Sequence, residues 1–303
     1  MVRLTIKKFD PSTMKRHRIL LFVGKRGTGK SVLLNDIMYS IHDKVDFGIA
    51  MTPTEETAET FREHMPEQWI YSNFEPSKLD AMLKLQRDLG KQKKMRDLYV
   101  CMDDCMYDKK VLKGVGMRDL FMNGRHLHIT LFNAMQYVMD MGPDLRSQVD
   151  YVFALRENII SNKQKLWKYF FGMFETYNDF SKVMDKCTEN YSALVLDNTA
   201  KSNNMEDCIF WYRAELNVPP YKMGKEKFWK YAVLFNKDDD ERFKEQKEKR
   251  SIDKANAASK KDKRIIQVTR KDENGESIES DSDDEGIKTV SYTHLTLPTI
   301  LLV

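Results

Sequence analysis

Residues 19–34 read ILLFVGKRGTGKSVLL. Five apolar residues, Ile19 to Val23, stop at a glycine, the eight residues GKRGTGKS follow, and a second apolar run opens at Val32. A short apolar strand that breaks into a glycine-rich loop and resumes as an amphipathic segment is the local pattern of a phosphate cradle at a helix N-terminus. Gly24, Gly29, Lys30 and Ser31 match G-x-x-x-x-G-K-[ST], with Lys25, Arg26, Gly27 and Thr28 at the variable positions. The glycines let backbone N–H groups wrap a polyphosphate, and the helix dipole favours its charge. Lys30 is expected to bridge the β- and γ-phosphates, and Ser31 to hold Mg²⁺ through its hydroxyl.

The rest of the chain up to Phe235 alternates short apolar runs with polar amphipathic stretches, which predicts an α/β domain with a mostly parallel sheet. The expected strands are Ile19 to Val23, Phe47 to Met51, Leu98 to Met102, His128 to Ala134 and Tyr151 to Leu155. From Ser77 to about Lys94, Leu79, Met82, Leu83, Gln86 and Leu89 fall on one helical face. Leu166 to Phe174 reads as a helix packed on the sheet. Ala193 to Leu196 and Ile209 to Tyr212, separated by NTAKSNNMED, read as an added hairpin or a pair of edge strands.

With 41% hydrophobic and 11% aromatic residues in 303, the chain can build a real core. A net charge of +4 excludes a polycation, so contact with nucleic acid would depend on local patches such as KKFDPSTMKRHR or KQKKMR. Cys101, Cys105, Cys187 and Cys208 form no disulfide framework in a chain this long and read as reduced. Cys101 and Cys105 together with His126 and His128 have poor spacing for zinc. The sequence shows neither a membrane span nor the apolar core of a signal peptide. Beyond Phe235 the composition shifts to charge, and residues 236–290 read as a disordered charged tail. The ending, VSYTHLTLPTILLV, resembles the conceptual translation of a sequencing adapter, so residues 291–303 read as non-native sequence.

A second acidic anchor is expected on a strand beside the loop, and LYVCMDD supplies it. Asp103 reads as the carboxylate linked to Mg²⁺, and Asp104 falls where a hydrolase places the general base over an attacking water. The next apolar run, HITLFNAMQ, ends in Gln136, whose amide can sense γ-phosphate and water together. Arg125 in MNGRHLH and Arg146 in GPDLRSQVD are candidate arginine fingers for a neighbouring subunit. No clear kinase lid is visible, and ATP hydrolysis is the expected chemistry.

The set GKRGTGKS, CMDDC, NGRH, AMQY and DLRSQVDYVFALREN resembles the genome-packaging ATPases of poxviruses and other large DNA viruses, a branch of the FtsK/HerA superfamily, over roughly residues 10 to 235. The resemblance implies a RecA-like P-loop NTPase with strand order five-one-four-three-two, and ATP with Mg²⁺ as cofactors. It further implies a homo-oligomeric ring, double-stranded DNA and capsid or virion components as partners, and a site of action in the host cytoplasmic viral factory or the virion. Asp104 departs from the wider superfamily, where Glu is usual at the base position. Two alternatives stand beside this reading. One is a HerA-like DNA translocase or helicase in repair, whose usual N-terminal barrel has no room before Gly24. The other is a non-catalytic ATP-dependent scaffold, against which an intact Asp104 counts.

Overall fold

Strand Ile19–Val23 lies at the middle of the sheet, and all five of its residues are buried. The computed structural model describes residues 4–105, 109–137 and 141–235, so the expectations for residues 236–290 and 291–303 lie outside the described residues. The chain divides into two units, Met1–Val233 and Leu234–Val303, and the site lies within the first.

Nine strands pair among the described residues: β1 (Lys7–Lys8), β2 (Ile19–Val23), β3 (Phe47–Met51), β4 (Ile70–Tyr71), β5 (Leu98–Asp103), β6 (Ile129–Met135), β7 (Tyr151–Ala154), β8 (Ser192–Asp197) and β9 (Ile209–Arg213). Their order is β1-β9-β8-β7-β2-β6-β5-β3-β4. Counted from the glycine-loop strand, the central five run five-one-four-three-two, and all four of their pairings are parallel. The protein therefore has the P-loop NTPase fold of the α/β class.

Alternation along each strand sends residues to two cores. Leu20 and Phe22 join Phe132, Phe153 and Tyr99 beneath α1 (Lys30–Tyr39) and α2 (Glu55–His64). Ile19, Leu21 and Val23 join Val100, Leu131 and Val152 on the other face. That second face is covered by α3 (Pro76–Lys91), α5 (Val115–Asn123), α7 (Ile160–Tyr169) and α8 (Tyr177–Cys187), after the short α4 (Lys109–Lys113) and with α6 (Pro143–Arg146) between. Strands buried on both faces must be apolar throughout, which is why the central ones read as continuous runs rather than alternations. Each fully buried Leu or Phe contributes about 1.5–3 kcal/mol of transfer free energy.

The five residues expected on one face of the helix beginning near Ser77 are the buried residues of α3. Gln86 is among them because its amide works there: Nε2 donates to the carbonyls of Arg96 and Leu127, each at 2.6 Å, and so joins the starts of β5 and β6. Other expectations shift. β6 starts one residue later, since His128 has φ 53 and stacks on His17, with ring centroids 4.4 Å apart. The aromatic helix ends at Tyr169, and Phe171 and Phe174 are buried in the turn after it. β8 and β9 pair antiparallel as the expected hairpin; their connection holds a short helix, α9 (Met205–Cys208), and β9 is not an edge strand, because β1 pairs parallel with it. A two-residue strand of lysines carries no apolar alternation, so it left no trace in the pattern.

His64, at the end of α2, stacks on Tyr221 at 4.0 Å, and its Nδ1 donates to the Tyr221 carbonyl at 3.2 Å. Its Nε2 is buried without a hydrogen bond. Burial thus holds its pKa below the ordinary 6.5. Below pH 6.5 the unfolded chain takes up a proton here that the folded protein refuses, so stability falls with pH until the folded value is passed. The His64→Phe protein is expected to show a shallower decline of Tm from pH 7 to pH 5 than the wild type. An unchanged slope in thermal melts would refute this.

Candidate active site

The loop after β2 is shaped by close approaches. Gly24 N–H donates to the Met135 carbonyl of the adjacent strand at 3.2 Å, and a Cβ on Gly24 would lie 2.6 Å from Thr28 Oγ1 and 2.9 Å from Leu155. Gly29 has φ 91, a left-handed conformation that costs glycine little, and it is the N-cap of α1. Thr28 Oγ1 donates to the Lys25 carbonyl at 2.7 Å, closing the turn. Arg26 is exposed, and Ser31 is exposed in the first turn of α1.

Lys30 is the best-held side chain of the loop. It is only 7% exposed, and its Nζ donates to Asp104 Oδ1 at 2.6 Å and lies 3.4 Å from Asp103 Oδ1. Gln136, just past β6, donates from Nε2 to Asp104 Oδ2 at 2.8 Å. One carboxylate is thus shared between the loop lysine and the strand-end glutamine. Both partners are reached because β5 lies next to β6 and β6 next to β2. Asp104 has φ 50, which turns its side chain out of the strand direction. Asp is one of the few residues that adopts this region readily.

Asp103 is 3% exposed, and its Oδ2 accepts from Thr57 Oγ1 at 3.0 Å. Its Oδ1 is buried and accepts no hydrogen bond. Burial raises its carboxyl pKa above the ordinary range, the Lys30 ammonium pulls it down, and Asp104 pushes it up again. A buried acidic oxygen that accepts no hydrogen bond and has a cation 3.4 Å away suits a hard divalent cation, so Asp103 fits Mg²⁺.

Two residues not singled out in the sequence take part. Thr57 completes a hydroxyl chain, Thr54 donating to Thr57 at 2.9 Å and Thr57 to Asp103. The stretch TPTEET directly after β3 was its signal, since β3 is the neighbour of β5. Glu157, in LREN after β7, accepts from Lys25 Nζ at 2.8 Å and from Ile159 N–H at 2.8 Å. Although burial raises its pKa, those bonds and the one from Asn162 outweigh it and leave the value lowered. This buried acid ties the loop to β7.

The two finger candidates lie elsewhere. Arg125 is exposed at the start of β6, where it helps stabilise the charge of Asp150. The seven residues of β6 separate it from Gln136, which is roughly 20 Å at strand rise. It therefore does not reach the loop of its own chain. Arg146 is half-buried, its Nη1 donates to the Met141 carbonyl at 2.7 Å, and its guanidinium lies 3.8 Å from the Tyr169 ring centroid. Those contacts give it a packing role in its own chain. Arg156, by contrast, is exposed at the loop edge of β7.

Several members of the basic clusters are already paired: Arg16 with Asp97 at 3.2 Å, Arg18 with Asp150 at 3.4 Å and Lys91 with Asp88 at 2.8 Å. Cys101 and Cys105 are buried thiols; Cys105 donates to the Met51 carbonyl at 2.9 Å, and burial pushes its pKa up to about 12. His128 lies instead with His17 and Asp97 at the opposite edge.

No family model matches the chain. Protein 015R of Frog virus 3 (isolate Goorha) is 34% identical over 220 residues, covering 70% of this chain and 67% of its own. Protein L437 of Acanthamoeba polyphaga mimivirus is 31% identical over 222 residues, covering 70% and 78%. Among solved structures, B204, the DNA-packaging ATPase of Sulfolobus turreted icosahedral virus, superposes with a TM-score of 0.50 at 15% identity, over 67% of this chain and 100% of that one. Among the described residues no helix is long and apolar enough to cross a membrane.

Proposed function

The chain belongs to the family of large-DNA-virus proteins represented in Frog virus 3 and mimivirus, and from that membership and its P-loop NTPase fold we propose that it is an ATP-hydrolysing motor. In this proposal it translocates double-stranded viral DNA into the capsid as a homo-oligomeric ring. The observation that carries the ATPase reading is the Asp104 carboxylate held at once by Lys30 and Gln136. The packaging role of B204 adds an analogy of fold, which by itself does not specify function. We assign the motor to residues 1–235, and its action to the viral factory or the virion.

A triphosphate entering the loop would compete with Asp104 for the Lys30 ammonium. Lys30 then turns to phosphate oxygens, and Asp104 keeps only its bond from Gln136. One of its oxygens is freed to take a proton from water, while the Gln136 amide orients that water toward the γ-phosphorus. Lys30 and the loop N–H groups stabilise charge developing on the phosphates. Asp103 and Ser31 would hold Mg²⁺, which would supply positive charge against the phosphates. Thr57 keeps the Asp103 carboxylate oriented through its 3.0 Å bond.

The full chain is expected to hydrolyse ATP only with Mg²⁺, and to do so faster with double-stranded DNA. An oligomeric preparation without ATPase activity would overturn the proposal; ATP-dependent assembly without phosphate release would favour a scaffold. Arg125→Ala should lose turnover, and mixing it with Arg125-intact, Asp104→Asn subunits should restore part of it. In such a ring an Asp104→Asn subunit lends its arginine to a neighbour with an intact base. No recovery on mixing would argue against a finger acting in trans.

A further inference from the structure

The γ-phosphate machinery lies to one side of the loop, on β5 and β6. The opposite side, toward β7 and β8, holds an aromatic ring that the mechanism does not use. Tyr191 immediately precedes β8, and it is 69% exposed. Tyr99, Tyr151, Tyr212 and Tyr221 are all buried. Tyr191 is nonetheless not a free surface residue. A Cβ on Gly29 would touch its Cδ1 at 3.4 Å and its Cβ at 3.5 Å, so the ring lies against the glycine that begins α1.

The backbone is bent to put it there. Asn190 and Tyr191 are both left-handed, with φ 53 and φ 60. Asn accepts that region, but an aromatic residue rarely does, and paired departures of this kind cluster at ligand sites. Val32, next after Ser31 on α1, is 41% exposed, which adds an uncovered apolar side chain at the same helix start. Antiparallel pairing of β8 with β7 brings the start of β8 to the end where Leu155 and Glu157 meet the loop.

We propose that Tyr191 is the stacking platform for the purine base of the bound nucleoside triphosphate. The proposal rests on the ATPase reading above and deepens it. A triphosphate with its terminal phosphate at Asp104 and Gln136 carries its base away from them, toward β7 and β8. There an exposed ring offers its π-face, and Val32 offers apolar contact. Stacking is sequence-tolerant, since every base has such a face. Tyr191 therefore contributes affinity for a base in general, and discrimination between purines is left to other groups.

The test uses the full chain with Tyr191→Ala, Tyr191→Phe and Tyr191→Trp. Tyr191→Ala should raise the KM for ATP about tenfold with kcat nearly unchanged, and Tyr191→Phe should match the wild type. Inhibition by magnesium tripolyphosphate, which has phosphates but no base, should be the same in all. Tyr191→Trp should show extra fluorescence quenched by ATP and not by tripolyphosphate. An unchanged KM in Tyr191→Ala, or equal weakening of ATP and tripolyphosphate, would overturn the proposal, the second outcome because it makes Tyr191 a prop for the loop. If the wild type neither binds nor hydrolyses ATP, the ATPase reading fails first and takes this one with it. If the wild type is active and only the base-dependent difference is missing, the platform alone falls.

Discussion

Replacing Lys30 with Ala is expected to lower ATP turnover by about 10²–10³-fold, the scale seen when a preorganised transition-state donor is removed. Lys30 is the cation that faces both Asp103 and Asp104. Without it two neighbouring carboxylates stand unneutralised where the proposed triphosphate would bind, so nucleotide affinity should fall with turnover. The loss should also appear in stability. The Asp103 pKa is already raised by burial, and Lys30 is the main influence lowering it. A carboxyl whose folded pKa is raised holds its proton more tightly than the unfolded chain does, so stability is greatest at low pH and declines as pH rises through the folded value. Lys30→Ala should move that decline upward and deepen it. Turnover assays with a fluorescent ATP analogue, and melts from pH 5 to pH 8, measure both effects. Turnover within tenfold of the wild type would contradict the assignment.

Asp104→Asn should separate binding from chemistry. Asn keeps the shape and tolerates φ 50 as Asp does, so the backbone at the end of β5 stays in place. Its amide cannot accept at both ends. Lys30 and Gln136 are both donors, and one of the two bonds must be lost when an oxygen becomes an NH₂ group. In the proposed mechanism the general base is removed as well. Hydrolysis should drop by about 10²–10⁴-fold, while ATP affinity stays within a few-fold, because Lys30 is then less firmly held by the acid. Equilibrium binding and single-turnover hydrolysis distinguish these. A variant that hydrolyses normally would move the base elsewhere, and one that fails to bind would make Asp104 structural.

Much of this arrangement was legible in advance, for physical reasons that differ by residue. Gly24, Gly29, Lys30 and Ser31 form a local motif, in which a backbone turn and a helix start fall within eight residues. Asp103, Asp104 and Gln136 end apolar runs that only a buried parallel sheet explains, and in such folds strand ends converge on one edge. Gln86 looked like a polar exception on an apolar face, and its two carbonyl partners show why it is buried. Thr57, Glu157 and Tyr191 were not legible in the same way. Each acts through a partner 46, 132 or 162 positions away, and those distances close only when strands pair.

The sequence by itself determined the glycine-rich loop, the two acids, the strand-end glutamine and the parallel sheet, because each is written in spacing and burial along a few neighbouring residues. Tertiary structure alone decided that Lys30 and Gln136 share one carboxylate. It also decided that Arg125 stands at the far edge, that Arg146 is occupied by Tyr169, and that Tyr191 lies on Gly29. Those facts depend on sheet order and on which end of a strand each residue occupies. Hydrophobic periodicity does not encode order between strands; the packing of both cores selects it.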